Sequence, residues 1–189
     1  MKNNHLFIKE NKLVAFSAET LAKIDQLAGH YPADQKRSVL IPVLHIAQEE
    51  LGGYLTIDIM DYVASLLGLN PVEVYEVATF YSMFYFDKVG KYVLEVCRTG
   101  PCAVCGGDKI SQYLQETLQI KTGETTPDGL FTLREVECLG GCGYAPVMQV
   151  NNQFHEYLTN EKIDTLLSDL RAGAANEIPP ETKWAAQFS

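Results

Sequence analysis

The sequence lacks several features that would by themselves indicate a function. Its most apolar window, SVLIPVLHIAQEEL, is interrupted by Pro42, His45 and Gln48, so it falls short of the roughly 18 uninterrupted apolar residues that a membrane-spanning helix needs. No predicted strand is followed by G-x-G-x-x-G, and we therefore expect the chain to bind no nucleotide. Basic residues are few, 15 against 24 acidic ones, and the formal net charge is −9. This balance argues against a nucleic acid or an anionic membrane as a partner.

The chain also opens without the pattern of a secretory leader, since its first residues, MKNNHLFIKENK, are mixed and polar. We therefore expect a cytoplasmic location, where thiols stay reduced. Only five of the 189 residues are cysteine. An odd number of cysteines in a reducing compartment predicts metal or redox chemistry rather than a disulfide framework.

The first half of the sequence predicts four helices joined by short connections. Ser17, Thr56 and Asn70 are typical helix-capping residues, and Asn70 is followed by a proline at the first helical position. The predicted helices span residues 17–29, 38–52, 56–68 and 70–84. Helices connected this closely should form a small bundle.

From residue 91 the pattern changes to strands alternating with helices. A strand, YVLEV, leads directly into Cys97, and a second strand at residues 130–137 ends at Cys138. Helices are predicted at 107–119 and 160–170, with a hairpin between them at 147–158. This order is typical of a thioredoxin-like α/β domain, and the fold class predicted for the whole chain is α+β. We divide the chain into an N-terminal extension (1–16), a helical bundle (17–88), a thioredoxin-like domain (89–171) and a C-terminal tail (172–189).

The five cysteines admit four arrangements of ligands. Cys102 and Cys105 form the C-x-x-C of a redox dithiol. Adding Cys97 and Cys138 gives a spacing that resembles the plant-type ferredoxins. A zinc site would instead use Cys102, Cys105, Cys138 and Cys142. The fourth arrangement leaves Cys105 out and takes Cys97, Cys102, Cys138 and Cys142.

The placement of the cysteines favours the fourth arrangement. Cys97 and Cys138 each follow a predicted strand, and parallel neighbours would bring both strand ends to the same edge of the sheet. Glycines flank both pairs, which lets backbone N–H groups approach the sulfurs of an anionic cluster of two irons and two sulfides. These glycines are Gly100, Gly140, Gly141 and Gly143. Zinc and a free redox dithiol stay open at this point, because soft thiolates suit them as well.

Several motifs resemble one protein family. The C-x4-C pair, the segment TPDGLF and the segment ECLGGCGYAP occur in the order typical of the thioredoxin-like 2Fe–2S ferredoxins. Within that family, EVATFYSMF (residues 76–84) and LEVCRTGPC resemble the peripheral 2Fe–2S subunit of respiratory NADH:quinone oxidoreductase, which is complex I. The resemblance covers residues 17–171, including the helical bundle that simpler ferredoxins lack.

The resemblance implies that Cys97, Cys102, Cys138 and Cys142 hold one 2Fe–2S cluster and that Cys105 has no ligand role. It further implies a one-electron carrier that has no substrate site of its own and works as a subunit of an oxidoreductase. FMN and NAD are expected only on a neighbouring flavoprotein subunit. Other peripheral-arm subunits are further expected partners, and the inner membrane would be reached only through the complex. An NAD-linked hydrogenase or formate dehydrogenase is the alternative host, and a zinc-stabilised interaction module is the alternative of a different class.

An aromatic stretch, FYSMFYF, occupies residues 80–86 at the end of the predicted fourth helix. Packing against the bundle explains it most simply. Contact with the flavoprotein partner is the functional alternative, since buried aromatic side chains often carry much of the binding energy of an interface.

Overall fold

The computed structural model of the chain describes residues 9–10, 13–32 and 34–173. Within them the chain divides into two compact units, one ending at Lys88 and one beginning at Val89. The predicted N-terminal extension lies partly outside the described residues, and the predicted tail lies outside them from residue 174 onward. None of the described helices has both the length and the apolar character to cross a membrane.

In the part of the first unit that the structure describes there are four α-helices and one short 3-10 turn. The helices are α1 (Ala18–Ala28), α2 (Leu40–Glu50), α3 (Ile57–Leu67) and α4 (Pro71–Phe80), and the 3-10 turn at Lys36–Val39 precedes α2. The side chains of Ser17 and Thr56 each accept a backbone N–H from the first turn of α1 and α3. Asn70 does the same for α4, and Glu73 accepts the Asn70 N–H in return at 3.1 Å. These satisfied N–H groups explain why three of the helices begin where the sequence predicted.

Helix α4 ends at Phe80, although the sequence predicted that it would continue to Phe84. The cause is the buried amide of Gln48 in α2. Its Nε2 donates to the Met83 carbonyl oxygen at 3.1 Å, and its Oε1 accepts the Tyr85 N–H at 2.8 Å. These hydrogen bonds hold the segment against α2 and replace those that a longer helix would have made.

The aromatic stretch contributes to the core of the first unit only in part. Phe84 is 3% exposed, and its ring centroid lies 4.9 Å from that of His45. Phe80, in contrast, is 78% exposed and contacts the ring of Tyr81. Packing therefore explains Phe84, whereas it leaves Phe80 without a structural role.

Burial of His45 in this core should make the stability of the chain depend on pH. Burial lowers the pKa of His45 from 6.5 to about 4. Between these values the unfolded chain binds a proton that the folded chain does not, so stability is complete above pH 6.5 and falls as the pH approaches 4. Relative to pH 8, the loss at pH 5 should be about 2 kcal/mol.

Urea titrations at pH 8 and pH 5 measure this loss as a change in the free energy of unfolding. We expect the part of the pH dependence that comes from His45 to be missing in His45→Leu and retained in His30→Leu, since His30 is exposed. Equal pH dependence in wild type and His45→Leu would contradict the prediction.

Among the described residues, the second unit contains a four-stranded sheet, three α-helices and a 3-10 turn at Cys142–Tyr144. Its elements in chain order are β1 (Tyr92–Cys97), α5 (Gly100–Val104), α6 (Gly107–Leu118), β2 (Phe131–Val136), β3 (Met148–Val150), β4 (Gln153–His155) and α7 (Asn160–Ala172). The strand order is β2-β1-β3-β4, with β1 and β2 parallel and the other neighbours antiparallel. This mixed sheet, together with the helices of the first unit, confirms the predicted α+β class. The short helix α5 was not predicted.

The core of the second unit lies where β1 and β2 pack against α6 and α7. Leu94, Leu133, Leu114 and Ile163, one from each of these elements, are fully buried in a single apolar cluster. Every residue of β1 is buried, as expected for a strand with neighbours on both sides. The buried sheet therefore fixes the positions of the strand ends from which the loops after β1 and β2 begin.

Candidate metal centre

The parallel pairing of β1 and β2 brings the two cysteine-bearing loops to one end of the sheet. Cys97, the last residue of β1, pairs with Val136, the last residue of β2, and Cys138 follows two residues later. The Arg98 N–H donates to the Val136 carbonyl oxygen at 3.1 Å, and the Arg98 guanidinium lies 3.1 Å from the Glu137 carboxylate. The two loops are therefore neighbours in space, although Cys102 and Cys138 are separated by 35 residues in the sequence.

The first cysteine pair, Cys97 and Cys102, is buried. Each is 2% exposed, and both pack in a small apolar cluster with Val147, which is joined by Leu139 and Ala145. The Cys97 N–H also donates to the Val147 carbonyl oxygen at 3.1 Å. This packing shields the first pair from water.

The second pair, Cys138 and Cys142, is exposed, with the two Sγ atoms 3.4 Å apart. The Gly140 N–H points at Cys138 Sγ from 3.4 Å, and Gly140 has a φ of 83°, a conformation that glycine adopts without strain. At Gly141 an added Cβ would lie 3.1 Å from the Val147 side chain. Gly140 is therefore required by its backbone conformation, since a Cβ added there would meet no protein atom within 4 Å, whereas Gly141 is required by its contact with the Val147 side chain.

Neither a positive φ nor a close neighbour applies to the other two glycines. A Cβ added at Gly100 or Gly143 would have no protein atom within 4 Å. The glycine with the least room beside the cysteine loops is Gly107, the first residue of α6. The sequence did not indicate a role for Gly107. A Cβ there would lie 2.9 Å from the carbonyl oxygens of both Cys97 and Cys102.

Hydrogen bonds to sulfur oppose the effect of burial in the first pair. Burial alone would raise the pKa of the Cys97 thiol, but hydrogen bonds from the Thr99 hydroxyl and from backbone N–H groups, including that of Leu139, outweigh it and lower the pKa. Burial raises the pKa of Cys102, and the neighbouring Cys97 raises it further. One thiol of this pair therefore loses its proton more readily than the other.

The second pair shows the same asymmetry. The N–H of Gly140 is the main cause that lowers the pKa of Cys138, and the hydrogen bond with Cys138 raises the pKa of Cys142. Charge on Cys97 also raises the pKa of Cys142 and opposes the lowering at Cys138. The four thiols are thus close enough to influence one another across the two loops.

Cys105 lies apart from this arrangement. It follows the last residue of α5, is exposed, and is not among the main groups that shift the pKa of the other four cysteines. The structure therefore brings together Cys97, Cys102, Cys138 and Cys142 and leaves Cys105 outside.

The donor set of these four thiols fits a 2Fe–2S cluster. Such a cluster takes four cysteine thiolates, two on each iron. The Gly140 N–H lies 3.4 Å from Cys138 Sγ, and the N–H groups of Leu139 and Val147 act to lower the pKa of Cys97 and Cys102, so backbone donors favour the negative charge of a cluster. Within residues 9–10, 13–32 and 34–173, no set of three or more His, Cys, Asp or Glu side chains converges as it would on a single metal ion.

Sequence reasoning missed Thr99, whose hydroxyl lies 3.3 Å from Cys97 Sγ. Its position inside C-x4-C was the only signal. The sequence alone does not show whether a threonine there caps a helix or reaches a sulfur.

Comparison with known proteins matches the chain to one family. The family model described as thioredoxin-like [2Fe-2S] ferredoxin matches residues 24–171. A Dictyostelium discoideum protein, NADH dehydrogenase [ubiquinone] flavoprotein 2, mitochondrial, is 41% identical over 167 residues, which cover 88% of this chain and 68% of the relative. The E subunit of the NADH-quinone oxidoreductase of Rickettsia felis is 44% identical over 154 residues, which cover 82% of this chain and 92% of the relative.

A solved structure of an NAD+-reducing [NiFe]-hydrogenase in the air-oxidized state shares the fold. It superimposes with a TM-score of 0.62 at 21% sequence identity, covering 77% of this chain. The chain spans only 25% of the length of that hydrogenase chain. The likeness therefore concerns the arrangement of the polypeptide in one part of a larger protein.

Proposed function

The chain belongs to the thioredoxin-like [2Fe-2S] ferredoxin family, and from this membership we infer that it carries one 2Fe–2S cluster. We propose that it is the electron-transfer subunit of an NADH:quinone oxidoreductase. The observation that carries this proposal is the identity of 41–44% to relatives named as subunits of that complex, over most of the chain. The chain takes part in the oxidoreductase reaction as a subunit, and the substrates bind elsewhere in the complex.

The proposed ligands are Cys97, Cys102, Cys138 and Cys142. Their position at the ends of two parallel strands and the 3.4 Å contact between the sulfurs of Cys138 and Cys142 support this assignment. A cluster held by them would accept and release one electron. The protein's own contribution is twofold: apolar packing keeps water from the first pair, and backbone N–H groups stabilise the negative charge on the sulfurs.

The proposed partner is a flavoprotein subunit that binds NADH and FMN, with further subunits of the same peripheral assembly. Two features support such a partner. The chain carries no G-x-G-x-x-G after a strand, and the exposed second pair leaves one side of the site open to an electron donor or acceptor. A cytoplasmic position, peripheral to the inner membrane, belongs to the same proposal.

An NAD-linked hydrogenase is the second candidate host. The observation in its favour is the shared fold with the NAD+-reducing hydrogenase chain. The higher identity to the subunits of the quinone-linked complex makes that complex the preferred host.

Metal analysis of the anaerobically purified chain tests the cofactor. We expect iron and acid-labile sulfide in equal amounts, two of each per chain, because a thioredoxin-like [2Fe-2S] ferredoxin holds one such cluster. Reduction with dithionite should give the electron paramagnetic resonance signal of a one-electron-reduced cluster. Zinc in place of iron and sulfide would overturn the proposal and favour the zinc-stabilised interaction module.

Affinity purification from the native host tests the partner. We expect a flavin-containing subunit to co-purify together with NADH-dependent quinone reduction. Co-purification of a nickel-containing subunit with hydrogen-dependent NAD reduction would assign the chain to the second candidate host.

A further inference from the structure

Thr99 lies in the loop between Cys97 and Cys102, and its side chain reaches a sulfur of the proposed ligands. Its Oγ1 is 3.3 Å from Cys97 Sγ. Thr99 is half-buried, so its hydroxyl is partly shielded from competing water. The hydroxyl therefore contacts the first cysteine of the site directly.

The hydroxyl of Thr99 has no local role that would explain this position. Thr99 is the N-cap residue of α5, with φ −84° and ψ 155°, yet its side chain makes no capping hydrogen bond. In the same chain, Thr56 and Thr159 occupy equivalent positions and each accepts an N–H from its helix. A threonine at an N-cap ordinarily does the same. At Thr99 the hydroxyl turns to the sulfur of Cys97 instead.

The backbone of Thr99 performs a separate task that does not depend on the side chain. Its carbonyl oxygen accepts the N–H groups of Cys102 at 2.9 Å and Ala103 at 3.2 Å, which closes the turn between Cys97 and Cys102. Substitution of the side chain should leave these hydrogen bonds in place. The contribution of the hydroxyl can therefore be measured apart from the folding of the loop.

We propose that Thr99 is a positioning residue whose hydroxyl donates to the ligand sulfur of Cys97 and raises the reduction potential of the cluster. The inference rests on the proposed function, since it assumes a cluster held by Cys97 and the other three proposed ligands. Reduction adds an electron to an already anionic group, and a donor aimed at a ligand sulfur stabilises the more negative state more strongly. A thiolate sulfur only accepts, so the hydroxyl is the donor in this hydrogen bond.

The ion pair between Arg98 and Glu137 is a weaker candidate for the same effect. Both side chains are more than half exposed, at 56% and 70%. Water and salt therefore screen their charges. The Thr99 hydroxyl, half-buried and 3.3 Å from Cys97 Sγ, is the stronger candidate.

Redox titration monitored by electron paramagnetic resonance tests the inference on four variants, three of Thr99 and one of Thr159. Thr99→Val keeps the shape of the side chain and removes the hydroxyl, whereas Thr99→Ser keeps the hydroxyl. At the midpoint potential of wild type, we expect Thr99→Val to show about a tenfold lower ratio of reduced to oxidised cluster, equivalent to a midpoint about 59 mV lower for one electron. Thr99→Ser should stay close to wild type. Thr159→Val, which removes a hydroxyl from a cap that does bind its helix, should lower the thermal midpoint without moving the potential.

A second comparison, between Thr99→Ala and Thr99→Ser, keeps the inference testable if Thr99→Val does not retain a cluster. Thr99→Ala and Thr99→Ser differ only by the hydroxyl oxygen, and Thr99→Ala should have the lower potential. The role of the hydroxyl would be overturned if Thr99→Val and Thr99→Ala each had the same potential as Thr99→Ser. A lower potential in Thr99→Val that Thr99→Ala does not share would also overturn it. Failure of the proposed function is a separate outcome, because it would appear in wild type as missing iron and sulfide.

Discussion

Replacing Cys142 with serine should abolish the visible absorption of the 2Fe–2S cluster, whereas replacing Cys105 with serine should leave it unchanged. Cys142 Sγ lies 3.4 Å from Cys138 Sγ, and the charge of Cys97 acts on it from the other loop. Cys105 is exposed at the end of α5 and outside this network. A serine oxygen is a harder donor than thiolate and suits an iron–sulfur site poorly.

The two serine variants form a matched pair, because both residues are exposed cysteines. Neither substitution should disturb the core, so far-ultraviolet circular dichroism should match wild type for both. Iron, sulfide and the absorption spectrum are measured after anaerobic purification. Near-complete loss of the cluster in Cys142→Ser alone supports the proposed ligands. The reverse result, with the cluster lost in Cys105→Ser and kept in Cys142→Ser, would favour the plant-type ligand set.

Replacing Gly107 with alanine should destabilise the second unit and reduce its cluster content. The added Cβ would lie 2.9 Å from the carbonyl oxygens of Cys97 and Cys102, which belong to backbone and cannot rotate away. Either α6 or the loop that carries the first cysteine pair must shift. Overpacking of this kind costs about 3 kcal/mol at a well-packed site.

Gly100→Ala provides the control for this substitution. Gly100 is the first residue of α5, as Gly107 is of α6, and a Cβ added there meets no protein atom within 4 Å. We expect its effect on stability to stay within about 0.5 kcal/mol. Thermal unfolding and iron content are the measurements. The prediction would be wrong if both glycine variants retained wild-type stability and full iron.

The features that the sequence predicted best depend on neighbouring residues along the chain. The starts of α1, α3 and α4 follow from Ser17, Thr56 and Asn70, whose side chains bond to N–H groups only two or three residues away. The convergence of Cys97 and Cys138 follows from two strands, one predicted by the largely apolar run at 92–96 and one by the alternation at 130–137. Parallel strands of this kind end at the same edge of the sheet. Both kinds of signal are local or nearly so.

The features that the sequence did not predict depend on contacts between distant residues. Helix α4 stops at Phe80 because Gln48, more than thirty residues earlier, bonds to Met83 and Tyr85. The tight environment of Gly107 depends on where the Cys97 carbonyl points once β1 has paired. No local pattern encodes these contacts.

The parallel pairing of β1 and β2 also dictates an order of events in the maturation of the protein. The two halves of the site are separated by residues 103–137, which include α6 and β2, and only the formed sheet brings them together. Parallel pairing of this kind forms slowly, because the intervening chain must be ordered first. We therefore expect iron and sulfide to be delivered to a chain that has already folded and left the ribosome, rather than to a growing one.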